Sequence, residues 1–221
     1  MRFLVTAGPT REPIDPIRYL SNRSSGKMGY AIADASLAAG HEVVLISGPV
    51  ALDPPRAAKL ISISTSDEMA SAVHQYVCDC DVLVMCAAVA DYKPAHVSPI
   101  KIKKRNANLS LELEPTRDIL ASLAKQDREF LVVGFAAETN EVEENAREKM
   151  RSKNLDIVVA NDVSATEVGM ESDENEVTVL FRNGETKKIS RTSKEIVADE
   201  LVKIFANACE KRLHKKNVVI T

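Results

Sequence analysis

Apolar residues follow two spacings along the chain, and each spacing predicts a different element. Continuous apolar runs predict buried strands, and apolar positions three or four residues apart predict amphipathic helices. Strands are predicted over residues 2–7, 41–47, 60–64, 81–88, 130–135 and 156–160. Helices are predicted over residues 26–39, 65–78, 118–125, 141–153 and 193–209. This alternation, which holds up to residue 162, predicts a three-layer, Rossmann-like α/β fold with a mainly parallel sheet.

Capping residues support the predicted helix ends. Gly40 is typical of a C-terminal stop after the first helix, and Asn154 of a cap after the fourth. The run Thr65–Glu68 fits a capping box at the start of the second helix. The third helix is expected to begin at Thr116 or at Asp118, since both side chains can cap.

Two segments, residues 93–115 and 165–190, depart from the alternation of strand and helix. In the first, leucines at every second position over Leu109–Leu113 are typical of an exposed antiparallel strand. In the second, Asn183-Gly184 is a strong hairpin signal. We expect both to be antiparallel excursions from a single domain spanning residues 1–221. They would form a flap or a subunit interface, because an exposed strand edge invites pairing.

The stretch Tyr19–Gly29 is a candidate ligand loop. Residues 11–24 form a long predicted loop, and loops of such length are often functional. Ser24, Ser25 and Gly26 stand where a helix begins, and a helix start offers N–H groups and a positive dipole end to an anion such as phosphate. An ordinary N-cap by Ser24 or Ser25 explains the same residues, and the spacing alone does not decide between the two interpretations.

Two common nucleotide-binding motifs are excluded. A Walker A loop needs Gly-x-x-x-x-Gly-Lys-Ser/Thr, but Met28 follows Gly26-Lys27, and Ser21 stands where the first glycine belongs. The dinucleotide fingerprint needs three glycines directly after the first strand, where this chain has only Gly8. The loop is therefore of a less common kind.

Composition narrows the function classes. The 221 residues carry a formal net charge of −3, which gives no overall basic field for a nucleic acid. No apolar run approaches the roughly 18 residues of a membrane span, and the N-terminus lacks the apolar core of a signal peptide. We therefore expect a cytoplasmic protein with neither a membrane nor a nucleic-acid partner. The spacing of the four cysteines is not that of a metal site, so we expect them to be structural thiols without a bound metal. They are Cys78, Cys80, Cys86 and Cys209.

Side chains that can do chemistry follow the predicted strands. The carboxyl ends of parallel strands meet at one crevice, so the Gly8 loop, Asp91, Phe135 and Asn161 can approach one another. Asp91 can equally be a turn residue, and Phe135 either stacks on a base or packs in the core. Five lysines form either a triphosphate clamp or a solvated face: Lys101, Lys103, Lys104, Lys149 and Lys153. No nucleophilic triad, zinc signature or carboxylate pair stands out, which favours electrostatic catalysis by lysine.

From the residues alone, three kinds of nucleotide or phosphate-binding protein stay open. One is an enzyme that works by electrostatic stabilisation of a charged intermediate, with lysine as the donor. The others are a dinucleotide-dependent reductase and a non-catalytic nucleotide-binding module. The missing glycine fingerprint counts against the reductase.

Six ordered blocks, taken together, carry a resemblance to a known family. They are Val5–Asp15, Ser21–Gly29, Ala87–Tyr92, Lys101–Lys104, Val133–Thr139 and Ala160–Asp162. With these blocks the chain resembles the phosphopantothenoylcysteine synthetases, also called phosphopantothenate–cysteine ligases, over nearly its whole length. In many bacteria such an enzyme is the second half of a bifunctional flavoprotein that also carries a decarboxylase.

The resemblance implies a two-step ligase of coenzyme A biosynthesis. The carboxylate of 4′-phosphopantothenate attacks the α-phosphate of CTP, which gives an acyl-cytidylate and pyrophosphate. The amine of L-cysteine then displaces CMP and forms an amide. Mg²⁺ would be carried largely by the triphosphate. The family also implies a homodimer whose active site is completed across the interface, and a decarboxylase that is fused or separate.

The resemblance assigns roles to particular residues. Asn22 would engage the acyl-cytidylate and help to turn it over, and Lys101 would stabilise charge as that intermediate forms. Ser24, Ser25 and Gly26 would form the phosphate and substrate loop, and Lys27 would stand aside from the chemistry. CTP would lie against Ala87, Ala88, Asp91, Lys101, Arg117, Asp118, Ile119, Leu120, Phe135, Lys149 and Lys153. Arg117 replaces a proline that the family often has, and the Lys149–Lys153 spacing resembles the bacterial, CTP-using form.

Overall fold

One sheet forms the centre of the molecule, and the computed structural model describes residues 1–104, 108–124, 128–138, 141–162 and 172–219. The strands are β1 (Arg2–Ala7), β2 (Arg11–Pro13), β3 (Tyr19–Ser21), β4 (Glu42–Ser47), β5 (Lys59–Ser62), β6 (Val82–Met85), β7 (Tyr92–Pro94), β8 (Leu113–Pro115), β9 (Leu131–Glu138), β10 (Ile157–Asp162), β11 (Glu174–Phe181) and β12 (Thr186–Ser193). The helices are α1 (Lys27–Ala38), α2 (Ser66–Tyr76), α3 (Ile119–Ala124), α4 (Val142–Ser152) and α5 (Lys194–Val219).

The main sheet is mostly parallel. Across the described residues its strand order is β12-β11-β10-β9-β6-β1-β4-β5. Every pairing from β10 to β5 is parallel, and the antiparallel strands β11 and β12 extend the sheet beyond β10. The predicted Rossmann-like, mainly parallel α/β fold is therefore confirmed. In this order the carboxyl ends of β1, β6, β9 and β10 come side by side.

Alternate residues of each strand pack beneath opposite helical layers. On β1, Phe3 and Val5 face the layer of α1 and α5, whereas Leu4 faces the layer of α2, α3 and α4. All three side chains have no solvent exposure. Burying one such side chain stabilises a fold by roughly 1.5–3 kcal/mol. The two-residue period of the strands thus builds two cores, one on each face of the sheet.

Hydrogen bonds at the helix ends confirm most of the predicted caps. The Thr65 hydroxyl accepts the Glu68 N–H at 3.2 Å, and the Glu68 carboxylate accepts the Thr65 N–H at 3.2 Å, which is the predicted capping box. Asp118 rather than Thr116 caps α3, because its carboxylate accepts a first-turn N–H at 2.8 Å. Asn154 follows α4 with a φ of 52°, as a C-terminal cap requires.

Three predicted segments differ in the structure. The predicted loop over residues 11–24 is wrong in part, because it contains the antiparallel pair β2–β3. The predicted strand over Leu109–Leu113 is wrong except at Leu113, where β8 begins and pairs antiparallel with β7. The hairpin at Asn183-Gly184 is confirmed, but its strands extend the main sheet and do not stand apart from it. Residues 163–171 of that predicted excursion lie outside the described residues.

Helix α5 is longer than the sequence predicts. It runs for 26 residues to Val219, where the sequence pattern predicts an end near Cys209, so the basic segment from Lys211 continues the helix. Of the helices that the structure describes, none has both the length and the apolarity that a membrane span needs.

Candidate active site

Two adjoining cavities open where the carboxyl ends of β1, β6, β9 and β10 meet. The first, which we call the α1 cavity, has a volume of about 400 Å³ and is lined by residues that include Asn22, Ser24, Gly26, Ala88, Asn161 and Lys194. The second, the α4 cavity, has a volume of about 820 Å³ and is lined by residues that include Arg117, Asp118, Ile119, Leu120, Ser152 and Lys153. The two cavities share Ala87, Val89, Asp91, Phe135 and Lys149.

Most of the site residues predicted from the sequence therefore line one of two neighbouring spaces. The predicted nucleotide residues lie around the α4 cavity, except Ala88, which lines the α1 cavity, and Lys101. Asn22, Ser24 and Gly26 line the α1 cavity, whereas Ser25 lines neither. Most residues predicted to bind the nucleotide therefore lie next to Asn22, which is predicted to act on the acyl-cytidylate.

The loop after β6 forms part of the wall between the cavities, and threonines on neighbouring segments fix it. The Thr6 hydroxyl accepts the N–H groups of Cys86 and Ala87, each at 3.2 Å. The Thr10 hydroxyl accepts the Ala90 N–H at 3.0 Å. Because small side chains follow β6, a ligand can approach the backbone there closely.

Asn22 is oriented by this same loop. Its side-chain Nδ2 donates to the Ala88 carbonyl at 3.0 Å, and that carbonyl also accepts the Thr10 N–H at 3.2 Å. The hydrogen bond fixes the amide with its nitrogen toward Ala88. The amide oxygen of Asn22 can then accept a hydrogen bond from a ligand in the α1 cavity.

Helix α1 begins at a glycine, so the alternative that Ser24 or Ser25 caps it is wrong. Gly26 is the N-cap, with a φ of 81° that favours glycine, and no side chain of the described residues caps this end. The Ser24 hydroxyl instead accepts the Gly26 N–H at 3.4 Å. A Cβ at Gly26 would also lie 2.7 Å from a methyl group of Val50. First-turn N–H groups without a side-chain cap suit an anion at this end of the α1 cavity.

Two lysines line the α4 cavity: Lys149 of α4, and Lys153, which directly follows that helix. Lys149 Nζ donates to the Phe135 carbonyl at 2.7 Å. Lys153 is hydrogen-bonded to the Asp118 carboxylate. Burial acts to raise the pKa of Asp118, but the hydrogen bonds from Lys153 and the Ala121 N–H, together with the charges of Lys153 and Lys149, hold that pKa below its ordinary value. Phe135 packs partly against the core and also lines both cavities, so stacking of a base on its ring stays a prediction.

The start of α3 is tied to the shared wall. The Thr116 hydroxyl donates to the Ala90 carbonyl at 2.5 Å, and the Thr116 N–H donates to the Asp91 carbonyl at 2.9 Å. These bonds set Arg117 and Asp118 at the edge of the α4 cavity. Arg117 is exposed there and adds a cation.

Lys101 is exposed and lines neither cavity. The next residue, Ile102, is fixed through its backbone by the ion pair of Asp15 and Arg18. The buried Asp15 carboxylate accepts the Ile102 N–H at 3.1 Å, and Arg18 donates to the Ile102 carbonyl at 2.7 Å. The side-chain hydrogen bond from Arg18 is the main cause that holds the pKa of Asp15 far below its ordinary value.

We expect Asp15→Asn to reduce stability in a pH-dependent way. The folded-state pKa of Asp15 lies below the unfolded value of 3.8, so its ionised form stabilises the fold above that value and this contribution is lost as the pH falls. The loss in unfolding free energy should be constant from about pH 5 to pH 8 and should shrink below about pH 4. Urea unfolding at several pH values measures it, with the exposed Asp53→Asn as control. A loss that is equal at all pH values would contradict the role of the Asp15 charge.

Residues to which the sequence analysis gave no role in the site also line the α1 cavity. They are Lys27, Met28, Gly29, Cys86, Ala137, Asn175 and Lys194. Lys27 Nζ lies 2.5 Å from Asp173 Oδ1, at the start of α1. Burial raises the pKa of the Cys86 thiol to about 12, so this cysteine is a neutral wall residue and not a nucleophile. One sequence signal marks Lys194. A lysine at the first position of a helix opposes the helix dipole, so a lysine there is unusual.

A comparison of the sequence with models of known protein families gives a match over most of the chain. The family model described as the DNA/pantothenate metabolism flavoprotein C-terminal domain matches residues 1–208. The chain belongs to this family. Its curated relatives include the coenzyme A biosynthesis bifunctional protein CoaBC of Bacillus subtilis (strain 168), which is 44% identical over 204 residues, 92% of this chain and 50% of that protein. The chain spans about half the length of the curated relatives it matches.

Solved structures of the family share this fold. The crystal structure of the C-terminal domain of the coenzyme A biosynthesis bifunctional protein CoaBC has a TM-score of 0.80 and 40% identity, with 98% of this chain and 96% of that chain covered. A Cab2 variant in complex with phosphopantothenate-cysteine has a TM-score of 0.81 and 15% identity, with 98% of this chain and 88% of that chain covered. At that identity, the likeness to Cab2 shows the fold alone.

Proposed function

We propose that the chain is a phosphopantothenate–cysteine ligase. It joins 4′-phosphopantothenate and L-cysteine into 4′-phosphopantothenoyl-L-cysteine through an acyl-cytidylate made from CTP. The observation that carries this proposal is the pair of adjoining cavities with a common wall. A reaction that joins a nucleotide to one substrate and then replaces it with another needs two such neighbouring spaces. The bifunctional relatives, which are named for coenzyme A biosynthesis, support the same reaction.

The nucleotide binds in the α4 cavity. Its volume of about 820 Å³ lies within the roughly 300–1,000 Å³ of small-molecule sites. Arg117, Lys149 and Lys153 supply positive charge for the phosphates. The Phe135 ring offers a face on which a base can stack. CTP is the proposed nucleotide because the Lys149–Lys153 spacing resembles that of the bacterial, CTP-using form of the family.

Mg²⁺ enters with the triphosphate in this proposal. It prefers oxygen ligands and keeps phosphates and waters around it, so it needs few protein ligands. Within the described residues, no three His, Cys, Asp or Glu side chains are gathered as a ready-made metal site. Asp91, which lines both cavities, can add one oxygen ligand, whereas Asp118 is engaged by Lys153.

In the first step the 4′-phosphopantothenate carboxylate attacks the α-phosphate of CTP. A bond forms between the carboxylate oxygen and phosphorus, and pyrophosphate leaves. Negative charge crowds around that phosphorus, so nearby cations lower the barrier. Lys101 supplies this charge at the reacting phosphate, and the uncapped N–H groups of α1 hold an anionic group beside it.

In the second step the cysteine amine attacks the acyl carbon of the acyl-cytidylate. A carbon–nitrogen bond forms, the carbon–oxygen bond to the phosphate breaks, CMP leaves, and the amine gives up one proton to the solvent. Asn22 acts here, because its amide is fixed by Ala88 and its oxygen can accept a hydrogen bond from the attacking amine. The amine is thereby aimed at the carbon, which makes Asn22 the residue of the turnover step.

A second copy of the chain completes the site. Apolar side chains are exposed around β7 and β8 and the segment between them: Tyr92, Val97, Ile100, Leu109, Leu111 and Leu113. Ile100, at 73% exposed, is next to Lys101, so pairing through this surface would carry Lys101 toward another copy's cavities. Sedimentation equilibrium is expected to give twice the chain mass of 24.2 kDa. A mass of one chain at micromolar concentration would contradict the homodimer.

The ligase works in the cytoplasm with a decarboxylase that acts on its product. The relatives named as bifunctional are about twice as long as the aligned chain, which supports a second activity on the same pathway. In this protein the decarboxylase is either fused or separate.

Calorimetric titration separates this proposal from its rivals. A ligase of this type is expected to bind CTP more tightly than ATP and to bind NADPH weakly. Tight binding of NADPH would favour a dinucleotide-dependent reductase. CTP binding without any product from 4′-phosphopantothenate and L-cysteine would favour a non-catalytic module, and product detected by mass spectrometry excludes it.

A further inference from the structure

Ala88, whose carbonyl orients Asn22, is held by the segment that follows β1. The Ala88 N–H donates to the Gly8 carbonyl at 2.9 Å, and the Ala88 carbonyl accepts the Thr10 N–H at 3.2 Å. These two bonds form an isolated parallel bridge between Pro9 and Ala88, beyond the last paired residues of β1 and β6. Because a carbonyl oxygen has two lone pairs, that of Ala88 accepts from both Thr10 and Asn22.

Thr10 has no solvent exposure, and its other two polar groups bond to further parts of the site. The Thr10 hydroxyl accepts the N–H of Ala90, two residues beyond the acceptor of Asn22, at 3.0 Å. The Thr10 carbonyl accepts the hydroxyl of Ser21, the residue directly before Asn22, at 2.8 Å. Thr10 therefore joins the two segments that carry the partners of the hydrogen bond between Asn22 and Ala88.

Of these three bonds, only the hydroxyl bond depends on the Thr10 side chain. It gives an acceptor to the half-buried Ala90 N–H, and the Thr116 hydroxyl donates to the Ala90 carbonyl at 2.5 Å. The loop after β6 is thus held at Ala90 from both sides. Without the Thr10 hydroxyl the Ala90 N–H loses its acceptor, and the cost of that loss favours a shift of the loop. Such a shift moves the Ala88 carbonyl, and with it the amide of Asn22.

We propose that Thr10 is a positioning residue for the second step and holds the Asn22 amide with its oxygen toward the α1 cavity. Thr10 lines neither cavity, so it acts on the reaction through Asn22 and does not touch a substrate. The inference rests on the proposed ligase function. It gives the segment after β1 a part in amide formation.

Thr10→Val keeps nearly the same shape and removes the hydroxyl. We expect it to slow amide formation from the acyl-cytidylate about 10-fold at saturating L-cysteine, because the oxygen of Asn22 is no longer aligned. The KM for L-cysteine, and pyrophosphate release without L-cysteine, should each change less than about threefold. Thr10→Ser keeps the hydroxyl and should restore most of the rate. Rapid-quench kinetics separates the two steps, and an unchanged rate of amide formation in Thr10→Val would overturn the inference.

A double variant distinguishes positioning from a general loss of stability. If Thr10 acts through Asn22, adding Thr10→Val to Asn22→Asp slows amide formation less than about twofold further, since the bond that Thr10 supports is already lost. A 10-fold loss that persists in the Asn22→Asp protein would refute the positioning role. Ser36→Ala, which removes a buried hydroxyl from α1 outside both cavities, is the stability control and should leave the ratio of the two rates unchanged.

Nuclear magnetic resonance of the asparagine side-chain amides measures the position of Asn22 without turnover. The Asn22 signal, identified by its loss in Asn22→Asp, should shift in Thr10→Val and lie near its original position in Thr10→Ser. If Thr10→Val does not fold, Thr10→Cys, which has a weaker acceptor, takes its place. If the unmodified protein forms no amide product, the proposed function fails, and the Asn22 signal still tests the inference. An Asn22 signal that does not move when the hydroxyl is removed would contradict it.

Discussion

Asn22→Asp is expected to lower the rate of amide formation by about 10²- to 10³-fold, while pyrophosphate release from CTP falls far less. Asn22 donates from its amide to the Ala88 carbonyl at 3.0 Å. An aspartate carboxylate cannot donate that bond, and its charge would repel both the carbonyl oxygen and the phosphates. The α4 cavity, where the nucleotide binds in our proposal, does not contain Asn22. The acyl-cytidylate should therefore form and accumulate.

Rapid-quench kinetics with mass spectrometry measures this effect. The Asn22→Asp protein should give a burst of pyrophosphate that matches the enzyme concentration, together with a stable acyl-cytidylate. Asn183→Asp, the same change in the exposed β11–β12 turn, is the control and should behave as the unmodified protein does. Equal losses in pyrophosphate release and amide formation would remove Asn22 from the turnover step.

Lys101→Gln is expected to block the first step, with pyrophosphate release reduced by about 10²- to 10³-fold. The glutamine keeps a polar side chain of similar length but loses the charge that stabilises the crowded phosphates. Pyrophosphate release in the absence of L-cysteine measures this step alone. Lys104→Gln, an exposed lysine of the same segment, is the matched control. Normal release from Lys101→Gln would show that Lys101 has no part in forming the intermediate.

Mixed dimers test whether Lys101 acts on another copy's site. A dimer of one Asn22→Asp chain and one Lys101→Gln chain contains one intact site if Lys101 acts across the interface, and none if it acts within its own chain. Random mixing makes half of the dimers mixed, so about a quarter of the unmodified activity should return. No recovery on mixing would assign Lys101 to its own chain.

The sequence predicts the sheet and the layers because their signals are local. Apolar runs mark the buried strands, and the capping box at Thr65 and Glu68 appears in the structure as two hydrogen bonds. The strands β2 and β3 escape prediction because each is only three residues long. Their pairing depends on a distant contact, in which the buried Glu12 carboxylate accepts the Ser66 N–H at 2.8 Å.

The candidate site is predicted only in part, because some of its residues are marked by local patterns and others are brought in by distant contacts. Residues at strand ends, such as Asp91 and Phe135, are found because parallel strands end at one edge of the sheet. The N-cap of α1 stays undecided in the sequence because serine is a common cap, whereas in the structure the close contact with Val50 leaves room only for a glycine at position 26. Lys194 reaches the α1 cavity only because β11 and β12 extend the sheet beyond β10, which no local pattern reveals.

Pyrophosphate release before L-cysteine is added tests the central claim most directly. The protein is mixed with CTP, Mg²⁺ and 4′-phosphopantothenate, and pyrophosphate is measured before and after the amino acid is supplied. Our account predicts release of about one pyrophosphate per active site without L-cysteine, and continuous release with CMP and amide product once it is added. Absence of release with any nucleotide, in either condition, would contradict it.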